Sequence, residues 1–231
     1  MKKILLMLSL ISISAIAITS CTSANSNGDE KNAKNGDIMN NTAVKKENNM
    51  PDVSGWPEAS RMAVDEITGK YGKPDGVTAD ELIWLNKGVW KKICITKTES
   101  KHSFPVEHTD LMTTAIMYDV PEDKMDDLGK FDGSVTFDRT QGCIAARCDK
   151  EANNFLALNL AHDIITGKKS VEQARKSYAD IVKEKMNGGN PEYMQKLSFE
   201  SQPNAADPDK NTTGLTKEDV MKGIEKNKMN N

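Results

Sequence analysis

The sequence holds few of the residues on which disulfide-rich domains or nucleic-acid-binding proteins depend. Only 4 of its 231 residues are cysteine, aromatic residues make up 5%, and 31 Lys and Arg stand against 34 Asp and Glu, for a net charge of -3. So few cysteines cannot form a disulfide scaffold. A chain without a basic excess lacks the positive face that general nucleic-acid binding requires. We therefore expect no nucleic-acid partner.

The motifs of the common enzyme classes are also missing. The sequence has no phosphate-binding loop, no dinucleotide-binding glycine motif, no nucleophile elbow and no paired-histidine zinc helix. Their absence leaves enzymatic activity uncertain. It favours a non-enzymatic binding or accessory module with a protein or small-molecule partner that the sequence does not identify.

The N-terminus has the pattern of a secretory signal. Two lysines precede an apolar stretch over residues 4–18, and small residues then lead to Cys21. The apolar stretch is too short for a membrane-spanning helix. The order Ile18-Thr19-Ser20-Cys21 resembles the lipobox of bacterial lipoproteins.

This resemblance implies a mature protein that begins at an acylated Cys21, with residues 1–20 removed. Several acyl chains hold a protein stably at a membrane, whereas one holds it only marginally. Thr22 is not the Asp that retains such proteins at an inner membrane, so the resemblance implies the cell envelope, at an outer membrane facing the periplasm. An ordinary secretory signal with a chance cysteine is the alternative.

Composition divides the rest of the chain into three parts. Residues 21–53 are polar and cannot bury enough surface to offset their ordering entropy, so we predict a disordered tether. Its root-mean-square length would be about 30 Å. Residues 54–199 form a single predicted domain. Residues 200–231 form a polar tail with one short, marginal helix.

Apolar periodicity predicts an α+β fold, in which an antiparallel β-meander of four or five strands packs against helices on one face. A nearly all-apolar helix over residues 150–166 is expected at its centre. The polar stretch 99–110 is predicted to be a loop, because it contains a proline and no alternation. The strands are expected within residues 82–85, 89–97, 111–120, 135–139 and 144–148.

The same polar stretch contains the strongest candidate for a metal site. His102, His108 and Asp110 are two imidazoles and a carboxylate, a sufficient ligand set for zinc with one open position. A metal-dependent hydrolase using these residues is the alternative to a binding module. The competing interpretation is a loop pinned by hydrogen bonds from these side chains to the backbone, with no cofactor.

Two arginines are candidates for binding an anionic ligand. Arg139 and Arg147 lie near the second predicted hairpin, followed by Asp149 and Glu151 at the start of a helix. Guanidinium groups bind carboxylates and phosphates through paired hydrogen bonds. An ion-pair network that joins the sheet to the helix is the competing interpretation.

Three cysteines remain after Cys21. Cys143 and Cys148 share one predicted strand and would lie roughly 16 Å apart, which is too far for a disulfide. A disulfide would therefore need Cys94 as one end. The alternative is three buried, inert thiols.

Several stretches of the predicted domain resemble a family of bacterial proteins of unknown function. They are residues 56–57, 102–105 (His-Ser-Phe-Pro), 131–135, 139–140, 146–149 and 154–161. The resemblance spans the predicted domain and implies no activity or site residue.

The lipoprotein interpretation predicts the chemistry of the mature N-terminus. Mass spectrometry of the membrane-extracted protein should find a chain that starts at Cys21 and carries acyl groups there. The C21S variant should lose the acyl mass and keep residues 1–20, because processing requires the acylated thiol. A wild-type protein without acyl groups, or one that retains residues 1–20, would contradict the interpretation.

Overall fold

The structure, a computed structural model, describes residues 50–229. The predicted signal segment, Cys21 and residues 22–49 of the predicted tether lie outside the described residues. Within residues 50–229, none of the helices is both long and apolar enough to cross a bilayer.

One antiparallel sheet and five α-helices make up the described part of the chain, which confirms the predicted α+β class. The helices are α1 (Glu58–Tyr71), α2 (Met125–Phe131), α3 (Glu151–Ile165), α4 (Val171–Met186) and α5 (Lys217–Met229). The strands are β1 (Gly76–Val77), β2 (Glu81–Lys87), β3 (Trp90–His102), β4 (His108–Met117), β5 (Val135–Asp138) and β6 (Cys143–Cys148). Two short 3-10 helices span Glu122–Lys124 and Glu192–Met194.

The strand order in the sheet is β1-β2-β3-β4-β6-β5. Strands β2, β3 and β4 follow one another as a meander. The β5–β6 hairpin then joins the sheet through its second strand, so β6 rather than β5 pairs with β4. The two-residue strand β1, which the sequence analysis does not predict, adds a sixth strand at the other edge.

The helices cover one face of this sheet. Along β4 and β6, buried residues alternate with partly exposed ones, as expected when a single face is packed. On the covered face, Leu82 lies opposite Ile95 and Trp84 opposite Ile93. All four are fully buried in the main core. The strand registers therefore follow from burial of the apolar face.

The prediction of a loop over residues 99–110 is wrong for most of its length. Strand β3 continues to His102 and β4 begins at His108, so only residues 103–107 form the connection. An irregularity in the β3–β4 pairing between Ile95 and Ser100 hides the alternation that a regular strand would show. Backbone pairing with β4 outweighs the weak strand preference of these polar residues.

Helix α3 is the predicted centre of the fold, and eleven of its residues are buried. At its start the buried Glu151 carboxylate accepts hydrogen bonds from Lys70, Tyr71 and Trp90. The Trp90 ring also stacks on Phe155, with 4.7 Å between centroids. One buried carboxylate therefore connects α1, β3 and α3.

Part of the predicted tail packs on the sheet. The Gln202 amide donates to the Met117 carbonyl, and the Asp207 amide donates to the Arg139 carbonyl. Gly142 has a φ of +61°, and a side chain there would lie 2.3 Å from the Ala206 amide nitrogen. Residues 202–207 therefore pack so closely against the β5–β6 turn that only a glycine fits at position 142. Helix α5 has no buried residue.

All three cysteines within residues 50–229 are free thiols. Cys94 lies opposite Thr113 and Cys148 opposite Met112, so the two point to different faces of the sheet. Of the two interpretations for these cysteines, the free-thiol one agrees with the structure, although Cys143 is only partly buried.

Breaking the Glu151 contacts should destabilise the fold. Glu151→Leu leaves the Trp90 and Tyr71 donors without an acceptor, so we expect the free energy of unfolding to fall by about 3 kcal/mol in urea denaturation. Glu58→Leu, at an exposed position in the first turn of α1, should change it by less than about 0.5 kcal/mol. Equal effects of the two changes would show that Glu151 does not connect the three elements.

We expect the free energy of unfolding to depend on pH because His162 is partly buried. Its Nδ1 lies 2.8 Å from the Tyr118 hydroxyl and its ring stacks on Phe199. Burial lowers the pKa of His162 below its ordinary 6.5. The folded protein therefore binds fewer protons at this residue than the unfolded chain, and the free energy of unfolding should fall as the pH drops below about 6.5.

The H162Q variant isolates this contribution from that of the other histidines. Urea denaturation should show that the stability advantage of wild type over H162Q shrinks between about pH 8 and about pH 5. A constant difference across this range would contradict the assignment.

Candidate metal centre

The ends of β3 and β4 bring three predicted ligands together. His102 closes β3, His108 opens β4, and the two are direct partners in the strand register. Asp110 lies two residues further along β4, opposite Ser100. Neighbouring positions on paired strands place side chains within about 5.5 Å of one another. The hairpin thus assembles the group that the sequence suggested.

The distances within this group suit a tetrahedral metal ion. Asp110 Oδ2 lies 3.2 Å from His102 Nδ1, and Asp110 Oδ1 lies 3.1 Å from His108 Nε2. The ligand atoms of the three residues lie within 4.8 Å of one another. Zinc bonds of about 2.0–2.3 Å place tetrahedral ligands roughly 3.3–3.6 Å apart. The two short distances involve different oxygens of Asp110, so the ligand atoms would have to move closer together to bind one ion.

Two buried atoms in this group lack a hydrogen-bond partner. They are His102 Nδ1 and Asp110 Oδ1, which approach their neighbours closely without the alignment of a hydrogen bond. The Asp110 side chain is only 7% exposed. Asp110 Oδ1 has a poorly aligned imidazole beside it rather than a well-formed hydrogen bond, and a bound cation would compensate this buried carboxylate more fully.

His108 is oriented by the backbone. Its Nδ1 lies 2.9 Å from the Val106 carbonyl, which can only accept, so Nδ1 carries a proton. Metal-binding histidines commonly use one ring nitrogen in this way and present the other to the ion. The Asp110 carboxylate beside Nε2 raises the pKa of His108 to about 11. A proton and a metal ion therefore compete for Nε2.

His102 has a carboxylate on its outer side. Its Nε2 lies 3.5 Å from Asp132 Oδ1. That oxygen is held in place because it accepts hydrogen bonds from the Ser134 amide and hydroxyl. A carboxylate behind a ligating imidazole fixes the ring orientation and strengthens the imidazole as a ligand. The arrangement leaves Nδ1 facing Asp110.

Cys148 also borders the group. Its Sγ lies 3.3 Å from His108 Nε2 and 3.4 Å from Asp149 Oδ1. The thiol and Asp110 face the same ring nitrogen, so these residues do not form a thiol–imidazole–carboxylate catalytic triad, in which the carboxylate binds the opposite nitrogen. Burial raises the pKa of the Cys148 thiol, which also argues against a nucleophile.

Aromatic packing holds the 103–107 connection in place. The Phe104 ring lies 5.1 Å from that of Tyr178 and 6.2 Å from that of Phe131. The Arg175 guanidinium stacks on Phe104 at 3.9 Å and donates to the Phe131 carbonyl. The connection that separates the two histidines is therefore packed against α2 and α4.

A cavity of about 360 Å³ opens beside the group. His102, Asp110 and Arg147 line it together with hydroxyl side chains from neighbouring strands. Arg147 donates to the Thr96 hydroxyl and the Thr98 carbonyl, and within residues 50–229 no carboxylate lies within ion-pair distance of it. Of the two candidate arginines, Arg147 reaches the candidate site.

Arg139 does not reach this cavity. Its guanidinium forms ion pairs with Glu122 and Asp209. The alternative network that would join both arginines to Asp149 and Glu151 does not form either, because Glu151 binds Lys70 and Asp149 accepts from Asn153.

Asp132 and Cys148 lie beside the group although no sequence pattern indicates either of them as a site residue. Neither lies near His102 or Asp110 in the chain, and an Asp-Gly pair predicts only a turn. Pairing of β6 with β4 and the position of the turn after α2 bring them to the site. No local sequence pattern carries this information.

Comparison of the chain with protein-family models, with curated proteins and with solved structures finds no match.

Proposed function

We propose that this protein binds a transition-metal ion of the zinc type through His102, His108 and Asp110, as a lipid-anchored binding module of the cell envelope. The support for the anchor is the lipobox-like sequence at Cys21. The support for the metal is the group at the ends of β3 and β4.

One observation carries the metal proposal: a buried carboxylate lies within ion-pair distance of two imidazoles, and the ligand atoms His102 Nδ1 and Asp110 Oδ1 form no aligned hydrogen bond. Imidazole nitrogen and carboxylate oxygen are common zinc ligands. Calcium and magnesium favour sites built entirely from oxygen. The ligand set therefore favours zinc or a similar transition metal.

Zinc should stabilise the wild-type protein and not the H108A variant. Calorimetric titration of metal-free protein should show one zinc ion bound per chain, and zinc at 100 times its dissociation constant should add about 2.7 kcal/mol to the free energy of unfolding. H108A removes one ligand and should abolish saturable binding. H162Q is the matched control, since it removes the histidine outside the group, and it should bind zinc like wild type.

Two results would contradict the proposal. One is a wild-type protein that takes up no zinc. The other is zinc binding that survives in H108A, which would place the ion elsewhere.

A metal-dependent hydrolase is the second candidate. The observation that favours it is the shared cavity of His102, Asp110 and Arg147. Zinc with three protein ligands leaves a position for a water molecule, which the metal can activate, and Arg147 could bind an anionic substrate group. Zinc-dependent hydrolysis of p-nitrophenyl phosphate or acetate that is lost in both H108A and R147A would favour this candidate. Zinc binding without turnover favours the binding module.

A further inference from the structure

We infer that the Cys148 thiolate is the fourth ligand of the metal ion, so that four protein side chains close the site. This inference rests on the proposed metal function and specifies the coordination at the same site. A site with a thiolate ligand favours metal ions that bind sulfur well, and zinc is the ion we expect there.

Cys148 lies close to one of the proposed metal ligands. Its Sγ is 3.3 Å from His108 Nε2, close to the roughly 3.5 Å expected between sulfur and nitrogen ligands of one tetrahedral zinc ion. Cys148 lies outside the set of three residues whose ligand atoms are all within 4.8 Å of one another, so metal binding would draw its sulfur closer to the rest of the group. Cys148 lies opposite Met112 in the sheet, two positions from Asp110 along β4. The imidazole nitrogen that faces the Asp110 carboxylate therefore also faces this sulfur.

The charge of the buried site also favours a thiolate ligand. The Cys148 and Asp110 side chains are almost completely buried. Asp110 alone would leave a bound dication with an excess positive charge in a buried place, which is unfavourable. A thiolate as second anionic ligand makes the site neutral overall, with both imidazoles uncharged.

Coordination exchanges one bond for another at sulfur. The Cys148 S–H bond is lost, a sulfur–metal bond forms, and the proton is released to solvent. No change of oxidation state occurs. The thiol that otherwise donates to Asp149 becomes a ligand, and no position remains for an activated water, as in structural rather than catalytic zinc sites. A closed site thus favours the binding module over the hydrolase.

Cobalt(II) substitution tests the inference directly. The full chain, purified in detergent with C21S in every variant, should bind cobalt(II) with a near-ultraviolet absorption that arises from thiolate-to-metal charge transfer. Adding C148S should remove this absorption. Adding C94S or C143S should leave it unchanged, because those thiols lie away from the group.

X-ray absorption of the zinc-loaded C21S protein gives a measurement that does not depend on how C148S folds. One sulfur at about 2.3 Å, with nitrogen and oxygen for the remaining ligands, is the expected result. Metal bound without sulfur, or a charge-transfer absorption that persists in C148S, would overturn the inference and leave the proposed metal function standing. A protein that binds neither cobalt nor zinc would overturn both.

Discussion

The pairing of β3 with β4 is the constraint on which the rest of the structure depends. These are the two longest strands, and they occupy the centre of the sheet. Their buried side chains supply one wall of the core, and their far ends carry the two histidines as direct partners. The register shifts at the irregularity between Ile95 and Ser100, and the pairing beyond that point sets His102 opposite His108 and Ser100 opposite Asp110.

The candidate metal centre lies where this hairpin meets the rest of the domain. Strand β6 brings Cys148, the turn after α2 brings Asp132, and Phe104 packs against α2 and α4. Sites held by rigid elements keep their ligand geometry better than sites on free loops. A ligand group assembled from several elements also links metal binding to the stability of the whole domain, since an ion that binds only the folded chain stabilises it.

Glu151 and Asp110 are both buried carboxylates, but the groups that surround them differ. Glu151 receives three donors and joins α1, β3 and α3, so its charge is compensated within the protein. Asp110 is as deeply buried and lies within ion-pair distance of His102 and His108, but one of its oxygens lacks an aligned donor. The first arrangement is complete as a structural contact. The second would be completed by a cation, and this difference is why we propose a metal ligand at one carboxylate and not at the other.

Local patterns in the sequence determined most of the secondary structure. The apolar helix α3 and the β5–β6 hairpin have the expected positions, because periodicity and turn residues act over a few neighbours. The residue types of His102, His108 and Asp110 were enough to suggest a metal site.

The tertiary structure alone decided how that site is built. It extended β3 and β4 through a stretch that the sequence presents as a loop and placed Arg147 rather than Arg139 beside the group. It also brought Cys148 and Asp132 next to the two histidines. In addition, it packed residues 202–207 of the predicted polar tail against the sheet. Each of these outcomes depends on contacts between residues far apart in the chain, which no local pattern of charge or hydrophobicity records.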